Sequence, residues 1–367
     1  MLFYICNIQS YKIAIFTINI LMLYSKILSL RQNHLGYITI NPLLNAFSLD
    51  MCQEIDAAEN DDFIRKTRGN ILKRLKNYEI GYHVELQQAL RDYSEAATYL
   101  SLKSKGLLLE KVPENTNKTP DFKVNLEGKE FFIEIKTLGF GGGEENYIKA
   151  IEQGLDAQVS IENQLKAGNT IAIAITAINP LEQGEQDYSY SRQKDFIETI
   201  IRKIKGLIKQ GQFESGSTIL LIDLSLIPIP ADWKVNSLPI FPLIQKQKIK
   251  SLVSGIFWHS AFGKENERIF SPIEFEGDAN IKSELSIEGI LNKNDFIKAL
   301  CFQVHNLSQE RKVVGFYRAK DEDSIMPLLS QFCDFVNDEM NTNGWSILQM
   351  LMLNIFDEIG NTETNAY

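Results

Sequence analysis

The sequence predicts an α/β fold: an αβββαβ core with a mixed central sheet flanked by helices, followed by a further C-terminal α/β region. Three observations carry this expectation. Between residues 61 and 177, stretches with apolar residues at helical spacing and short runs rich in β-branched and aromatic residues follow one another as helix, three strands, helix, strand. Within that order, TPDFKVNLEGKEFFIEIKT (residues 119–137) alternates apolar and polar positions on both sides of Glu127-Gly128, which is the pattern of a hairpin. Beyond Pro180, helical and strand patterns resume, so the sheet is expected to grow past the first six elements.

The first element is a helix over 61–77, opened by Asp61 and Asp62 and striped by Phe63, Ile64, Ile71, Leu72 and Leu75. A longer helix runs from Tyr82 to Lys105. Leu86, Ala89, Leu90, Tyr93, Ala96, Ala97 and Leu100 form its apolar stripe, and Gly106 is its expected C-cap. An apolar strand, Leu107 to Val112, and a connection rich in Asn, Thr and Pro lead into the hairpin.

The hairpin fixes a register. If Glu127 and Gly128 form the loop, Leu126 pairs with Lys129, Asn125 with Glu130, Lys123 with Phe132 and Asp121 with Glu134. Period-two alternation adds Lys136 to the face of Glu134 and turns Phe122, Val124, Phe131, Ile133 and Ile135 the other way. Two carboxylates and an ammonium then converge at the open end. Opposed like charges about 4.5–5.5 Å apart destabilise a sheet unless something offsets them. A divalent cation does so: Mg²⁺ takes oxygen ligands and keeps several waters, so one or two carboxylates plus a phosphate suffice. A nearby Lys can then stabilise or orient a nucleophile. The alternative is an amphipathic hairpin whose polar face, Asp121, Lys123, Asn125, Glu130, Glu134 and Lys136, meets water.

After the hairpin, GFGGG (139–143) makes a turn; no Gly-Lys-Ser/Thr follows, so it is not read as a P-loop. A helix over 144–167 carries Ile148, Ile151, Leu155 and Leu165 inward, and Thr170–Ala177 reads as a buried strand.

Pro120-Asp121, a spacer and then Glu134-Ile135-Lys136 resemble the signature of the PD-(D/E)XK nucleases, the restriction-endonuclease-like superfamily, whose core order is also αβββαβ. The motif covers about twenty residues and its topological context about a hundred and twenty more. The resemblance implies metal-dependent hydrolysis of phosphodiester bonds in nucleic acid, DNA ahead of RNA, with Mg²⁺ or Mn²⁺. By that likeness Asp121 and Glu134 hold the metal, Ile135 adds its backbone carbonyl, and Lys136 orients the attacking water. Members often carry a Glu on the preceding helix that completes the metal site; Glu95 is the better positional match and Glu85 the other candidate, against the plain reading of either as an exposed helix carboxylate. Gln158, near the inward stripe of the following helix, matches the place of an accessory Gln or Lys, or is a satisfied interior polar group. A noncatalytic nucleic-acid-binding or scaffold protein that keeps the fold is the alternative function.

Further on, residues 190–210 read as a helix and Ser217–Asp223 as a strand. Asp223 there resembles a Walker B residue, but without a P-loop it is better read as capping a turn. Leu252–His259 reads as a strand; Trp258-His259 at its end could line a cleft, though a lone His there is usually structural. Helices are expected at Asp295–Gln303, Ser324–Asn341 and Trp345–Glu358, with a strand at Val313–Arg318. The expected division is an apolar extension over 1–60, the nuclease-like domain over 61–260, and a C-terminal region over 261–367.

A hydrophobic fraction of 44% and a charged fraction of 23% are those of a globular chain, which excludes disordered and fibrous classes. The formal net charge of −9 excludes a protein that coats nucleic acid by bulk charge but leaves room for a local basic groove. Arg65, Lys66, Arg68, Lys73, Arg74 and Lys76 form the densest basic segment; Arg202, Lys203, Lys205 and Lys209, and Lys246, Lys248 and Lys250, form smaller ones. Cys6, Cys52, Cys301 and Cys333 lie far apart without a CxxC pair, so neither a zinc site nor a disulfide framework is indicated and a cytoplasmic setting is expected. The uncharged run from Ile13 to Ser25 is short for a spanning helix and makes a poor signal peptide. It is read as a membrane-proximal anchor, as elements packed on the domain, or as residues upstream of a start near Met51. A homo-oligomer is compatible with the sequence.

Overall fold

A computed structural model of the chain describes residues 2–6, 22–33, 42–76, 83–113, 119–139, 143–177, 193–225, 243–244, 252–253, 256–269, 283–305 and 311–339. In chain order its elements begin with β1 (Leu2–Cys6), α1 (Leu23–Asn33), α2 (Pro42–Asn45), α3 (Leu49–Ala57), α4 (Asp62–Lys76), α5 (His83–Ser104), β2 (Leu109–Lys111), β3 (Phe122–Leu126), β4 (Lys129–Thr137), α6 (Gly143–Lys166) and β5 (Ile173–Ala177). They continue with α7 (Gln193–Leu207), a 3-10 turn at Gln210–Phe213, β6 (Ser217–Asp223), β7 (Leu243–Ile244), β8 (Leu252–Val253), α8 (Ile256–Phe262), β9 (Arg268–Ile269) and β10 (Ser283–Glu284). The last are α9 (Ile290–Lys293), β11 (Ile297–His305), β12 (Arg311–Tyr317), α10 (Glu322–Phe332) and β13 (Phe335–Asp338). The chain forms two compact units.

The first unit holds β1, α1 to α4, α5 as far as Ser101, α6 and β5. Its helices start where the sequence supplies caps. Ser48 accepts from the N–H of Met51 at 3.3 Å to open α3, and Asp61 accepts from the N–H of Ile64 at 3.2 Å to open α4. The predicted stripe of α5, from Leu86 to Ala97, is buried. The apolar start of the chain packs where it is described: Leu23 and Ile27 are fully buried on α1, whose first two N–H groups donate to the carboxylate of Asp56 at 2.9 Å. Residues 13–21 lie outside the described residues. No described helix is long and apolar enough to cross a membrane.

The second unit is built on a mixed seven-stranded sheet in the order β13-β12-β11-β6-β4-β3-β2. β4, β6 and β11 run parallel at its centre; β2, β3 and β12 are antiparallel to their inner neighbours. Strands covered on both faces need continuous apolar runs. Ile219 to Ile222 on β6 and Ala299 to Phe302 on β11 supply them and are fully buried. Helices α7 and α10 bury Ile197, Ile200, Ile201 and Ile204, and Ile325, Leu328 and Leu329. The expected C-cap at Gly106 is present: at φ +88° it closes the end of α5 with Leu107 N–H to Leu102 O at 3.3 Å and Gly106 N–H to Lys103 O at 3.0 Å.

Four expectations are corrected. The strand at 170–177 does not complete the central sheet: β5 pairs antiparallel with β1, and Ile171 and Ile173 are 67% and 51% exposed. The strand that lies parallel to β4 in the central sheet is β6. The helix expected at Asp295–Gln303 is instead a turn leading into strand β11, Ile297–His305, because a short apolar run buried on both sides satisfies either period. The helix begun near Ser324 stops at Phe332, and β13 follows; Asp334 turns the chain by accepting the N–H of Val313 at 2.7 Å. Trp258 and His259 sit on helix α8, not a strand. The seven-stranded sheet also takes strands from both sides of residue 260. The helix expected at 345–358, most of the glycine turn at 139–143 and the cluster Lys246, Lys248 and Lys250 lie outside the described residues.

Candidate active site

The hairpin turn forms as its residues dictate. Glu127 and Gly128 take φ +52° and +78°, the paired positive values of a two-residue type I′ turn. The register is the expected one as far as the ladder runs: Leu126 faces Lys129, Asn125 faces Glu130 and Lys123 faces Phe132, ending with Phe122 opposite Ile133, one pair short of the expected Asp121 and Glu134. The ladder stops there because Pro120 has no N–H to donate. The side chain of Asp121 takes over: its Oδ2 accepts the N–H of Ile135 at 2.8 Å. Residues opposed in a ladder exchange both N–H and C=O with one neighbour, so both groups of a residue share one strand edge. The carbonyl of Ile135 therefore lies on the same edge as the N–H held by Asp121.

Glu134 lies between β3 and β6 and is fully buried. One oxygen, Oε1, accepts from Lys136 Nζ and from Gln212 Nε2; the other, Oε2, is buried and meets no donor among the described residues. Burial, and then repulsion from Asp121, push the Glu134 carboxyl up to about 7, with Lys136 pulling the other way. The two acids are thus close enough to feel one another. Lys111, at the end of β2, lies over the Phe122 ring at 4.8 Å and donates to Asp121 Oδ1 at 3.1 Å. The structure brings together Asp121, Glu134, Ile135 and Lys136, as the hairpin register expects, and adds Lys111 and Gln212.

Sequence reasoning missed both additions. Lys111 reaches Asp121 through the β2–β3 register, which the intervening connection hides from the sequence. Gln212 sits in the 3-10 turn before β6, 78 residues from Glu134, with no periodicity to mark it.

Glu95 and Gln158 belong to the first unit. Glu95 is half-buried on α5, where Glu85 makes a loose ion pair with Arg74 at 3.9 Å. Gln158 is buried on α6; its Nε2 donates to Glu162 at 3.3 Å, and its Oε1 finds no donor among the described residues. The three arginines of the basic segment on α4 are engaged: Arg65 pairs with Asp62, Arg68 with Asp56 on α3 and Arg74 with Asp92 on α5.

Other singled-out residues have structural work in the second unit. Asp223 ends β6 and caps the turn beyond, accepting the N–H and the hydroxyl of Ser225, both at 3.0 Å. His259 is buried edge-on against Trp258, and burial lowers it to about 4, so it is neutral at pH 7.

The donors at the hairpin suit a hard divalent cation. Two carboxylates and a strand carbonyl are oxygen ligands, and Glu134 Oε2 is a buried acceptor in need of a positive partner. Among the described residues no three His, Cys, Asp or Glu side chains gather around one point. No protein-family model, curated protein or solved structure matches the chain, and the site stands on its own geometry.

Proposed function

We propose that this protein is a metal-dependent nuclease that hydrolyses phosphodiester bonds in nucleic acid, DNA ahead of RNA, using Mg²⁺ or Mn²⁺. One observation carries the reading. Asp121 and Glu134 meet at the open end of the hairpin, where the Glu134 carboxyl is pushed up to about 7, with Lys136 hydrogen-bonded to it. Structural carboxylates are rarely buried beside another acid, whereas sites that bind cations or move protons collect such pairs. The resemblance of Pro120-Asp121 and Glu134-Ile135-Lys136 to the PD-(D/E)XK signature supports the same reading, as do the three antiparallel strands β2, β3 and β4 and the parallel neighbour β6 that follows α7.

In this proposal Asp121, Glu134 and the Ile135 carbonyl hold the cation. When bound, it supplies a Lewis acid for the phosphate and lowers the pKa of a coordinated water. Asp121 is kept aimed by its bond from the Ile135 N–H. Lys136, one-fifth exposed, reaches the surface beside Glu134 and is placed to orient water or to neutralise charge on the phosphate. Lys111 holds a second positive charge against Asp121.

The test is nicking of supercoiled plasmid, single-stranded DNA and RNA by purified protein with Mg²⁺ or Mn²⁺. Asp121→Ala and Lys136→Ala should each abolish cleavage with the fold intact; cleavage unchanged in both would sink the assignment. The noncatalytic alternative has its own observation in favour: Glu134 is fully buried and its Oε1 is already shared by Lys136 and Gln212. Binding of nucleic acid without cleavage across metals and substrates would select it.

A further inference from the structure

Gln212 and Glu134 are joined by one hydrogen bond that leaves each with an idle oxygen. Gln212 Nε2 donates to Glu134 Oε1, and Gln212 Oε1 and Glu134 Oε2 are both buried with no donor among the described residues. Gln212 itself is nine-tenths buried. Its amide cannot be turned round to relieve this. Glu134 Oε1 already accepts from Lys136, so a reversed amide would set oxygen against an accepting oxygen. Where Glu134 is ionised, two buried acceptors without donors are a costly arrangement for a folded chain, and one that a cation resolves.

The chemistry of the idle atom narrows what resolves it. An amide oxygen is a neutral, hard donor, of the kind that serves Mg²⁺, Mn²⁺ and Ca²⁺ and leaves softer metals to sulfur and imidazole. The 3-10 turn that carries Gln212 lies shortly before β6, the strand paired with β4 through Glu134 and Leu220, so Gln212 is carried beside the strand that bears Glu134. We infer that Gln212, through Oε1, is an oxygen ligand of the divalent cation held by Asp121 and Glu134. This rests on the metal-site reading proposed above and adds to it a ligand from the turn before β6.

Binding of Mn²⁺ alone to the full-length, metal-free protein, followed by the paramagnetic resonance signal of free Mn²⁺ without nucleic acid, tests it. Gln212→Met removes both the oxygen and the N–H donor; Gln212→Glu keeps an oxygen and removes only the donor. Gln212→Met should weaken Mn²⁺ binding about tenfold, the scale seen when partners of a metal site are removed. Gln212→Glu should bind at least as tightly as wild type. If Gln212 matters only as a donor that positions Glu134, Gln212→Glu binds weakly too, and the inference is overturned. It is overturned alone if Asp121→Asn loses Mn²⁺ while Gln212→Met binds as wild type. If wild type binds no Mn²⁺, the inference and the proposed metal site fall together. Thermal unfolding without metal checks that each variant folds; should Gln212→Met fail to fold, Gln212→Glu decides by the same criterion.

Discussion

The backbone N–H of Ile135 donates to the side chain of Asp121 at 2.8 Å, although β3 and β4 cease pairing two residues earlier, at Phe122 and Ile133. A carboxylate here substitutes for a strand. It satisfies a main-chain donor that the end of the ladder would leave open, and it fixes Asp121 against the strand that carries Glu134 and Lys136.

Asp121 therefore has a structural role separable from chemistry. Asp121→Ala leaves the Ile135 N–H without the carboxylate that accepts it and removes one partner of Lys111, and should cost about 1–3 kcal/mol. The urea midpoint of the metal-free protein measures this. Asp121→Asn keeps an oxygen for Ile135 and should recover part of the loss while remaining inactive in cleavage. Equal stability of Asp121→Ala and wild type would show that the hydrogen bond does not hold the strand end.

The turn that sets this register should be as sensitive. Gly128 sits at φ +78° with no atom within 4 Å of the place a Cβ would take, so any cost of a side chain is conformational rather than steric crowding. Gly128→Ala should destabilise by about 1 kcal/mol. Glu127→Asn should stabilise, since Asn-Gly is the preferred pair for a type I′ turn. Chemical denaturation of both variants checks the pair of signs.

What the sequence showed and what it hid follow from the range of the interactions. The hairpin was readable because a two-residue turn and alternation over residues 121–137 are local, and they specify which residues share a face with Glu134. The stripe of α5 and its glycine cap were readable for the same reason. β11 was not: within Ile297–His305 the run Ala299–Phe302 is continuously apolar and fully buried, and a continuous run carries no period. TIAIAITA misled in the opposite direction. It has the composition of a buried central strand, yet among the described residues β5 pairs with β1 alone and leaves Ile173 half exposed. Lys111 and Gln212 reach the two carboxylates through pairings between distant segments, and such pairings leave no mark in local composition.

The far side of the sheet offers a packing test independent of the site. A Cβ added at Gly315 would stand 2.9 Å from Cys333 Sγ, 3.3 Å from Val336 Cγ1 and 3.6 Å from Cys301 Sγ. Gly315→Ala should therefore cost about 1–3 kcal/mol by overpacking. Cys333→Ala removes the nearest atom, so the double variant should be less destabilised than the sum of the singles, by a coupling on the order of 1 kcal/mol. Additive effects in urea denaturation would place the crowding elsewhere.

Glu134 holds its proton to a higher pH in the folded protein than in the unfolded chain. Its carboxyl stands at about 7 in the folded protein against 4.5 for the free side chain. Between these values the folded state binds more protons than the unfolded state, so stability falls as pH rises. The stabilisation from the bound proton is fully present below about 4.5 and is lost as pH passes through about 7. Other titrating groups contribute to any single pH profile, but most cancel in a comparison with Glu134→Gln, which keeps an acceptor for Lys136 and never ionises. The unfolding temperature of Glu134→Gln, measured with a chelator present, should rise relative to wild type between pH 5 and pH 8. A constant difference over that range would mean that Glu134 titrates like an exposed acid. Burial and the neighbouring Asp121 would then not act on it as the geometry requires, and Asp121 and Glu134 would not be the electrostatically coupled pair that a cation site needs.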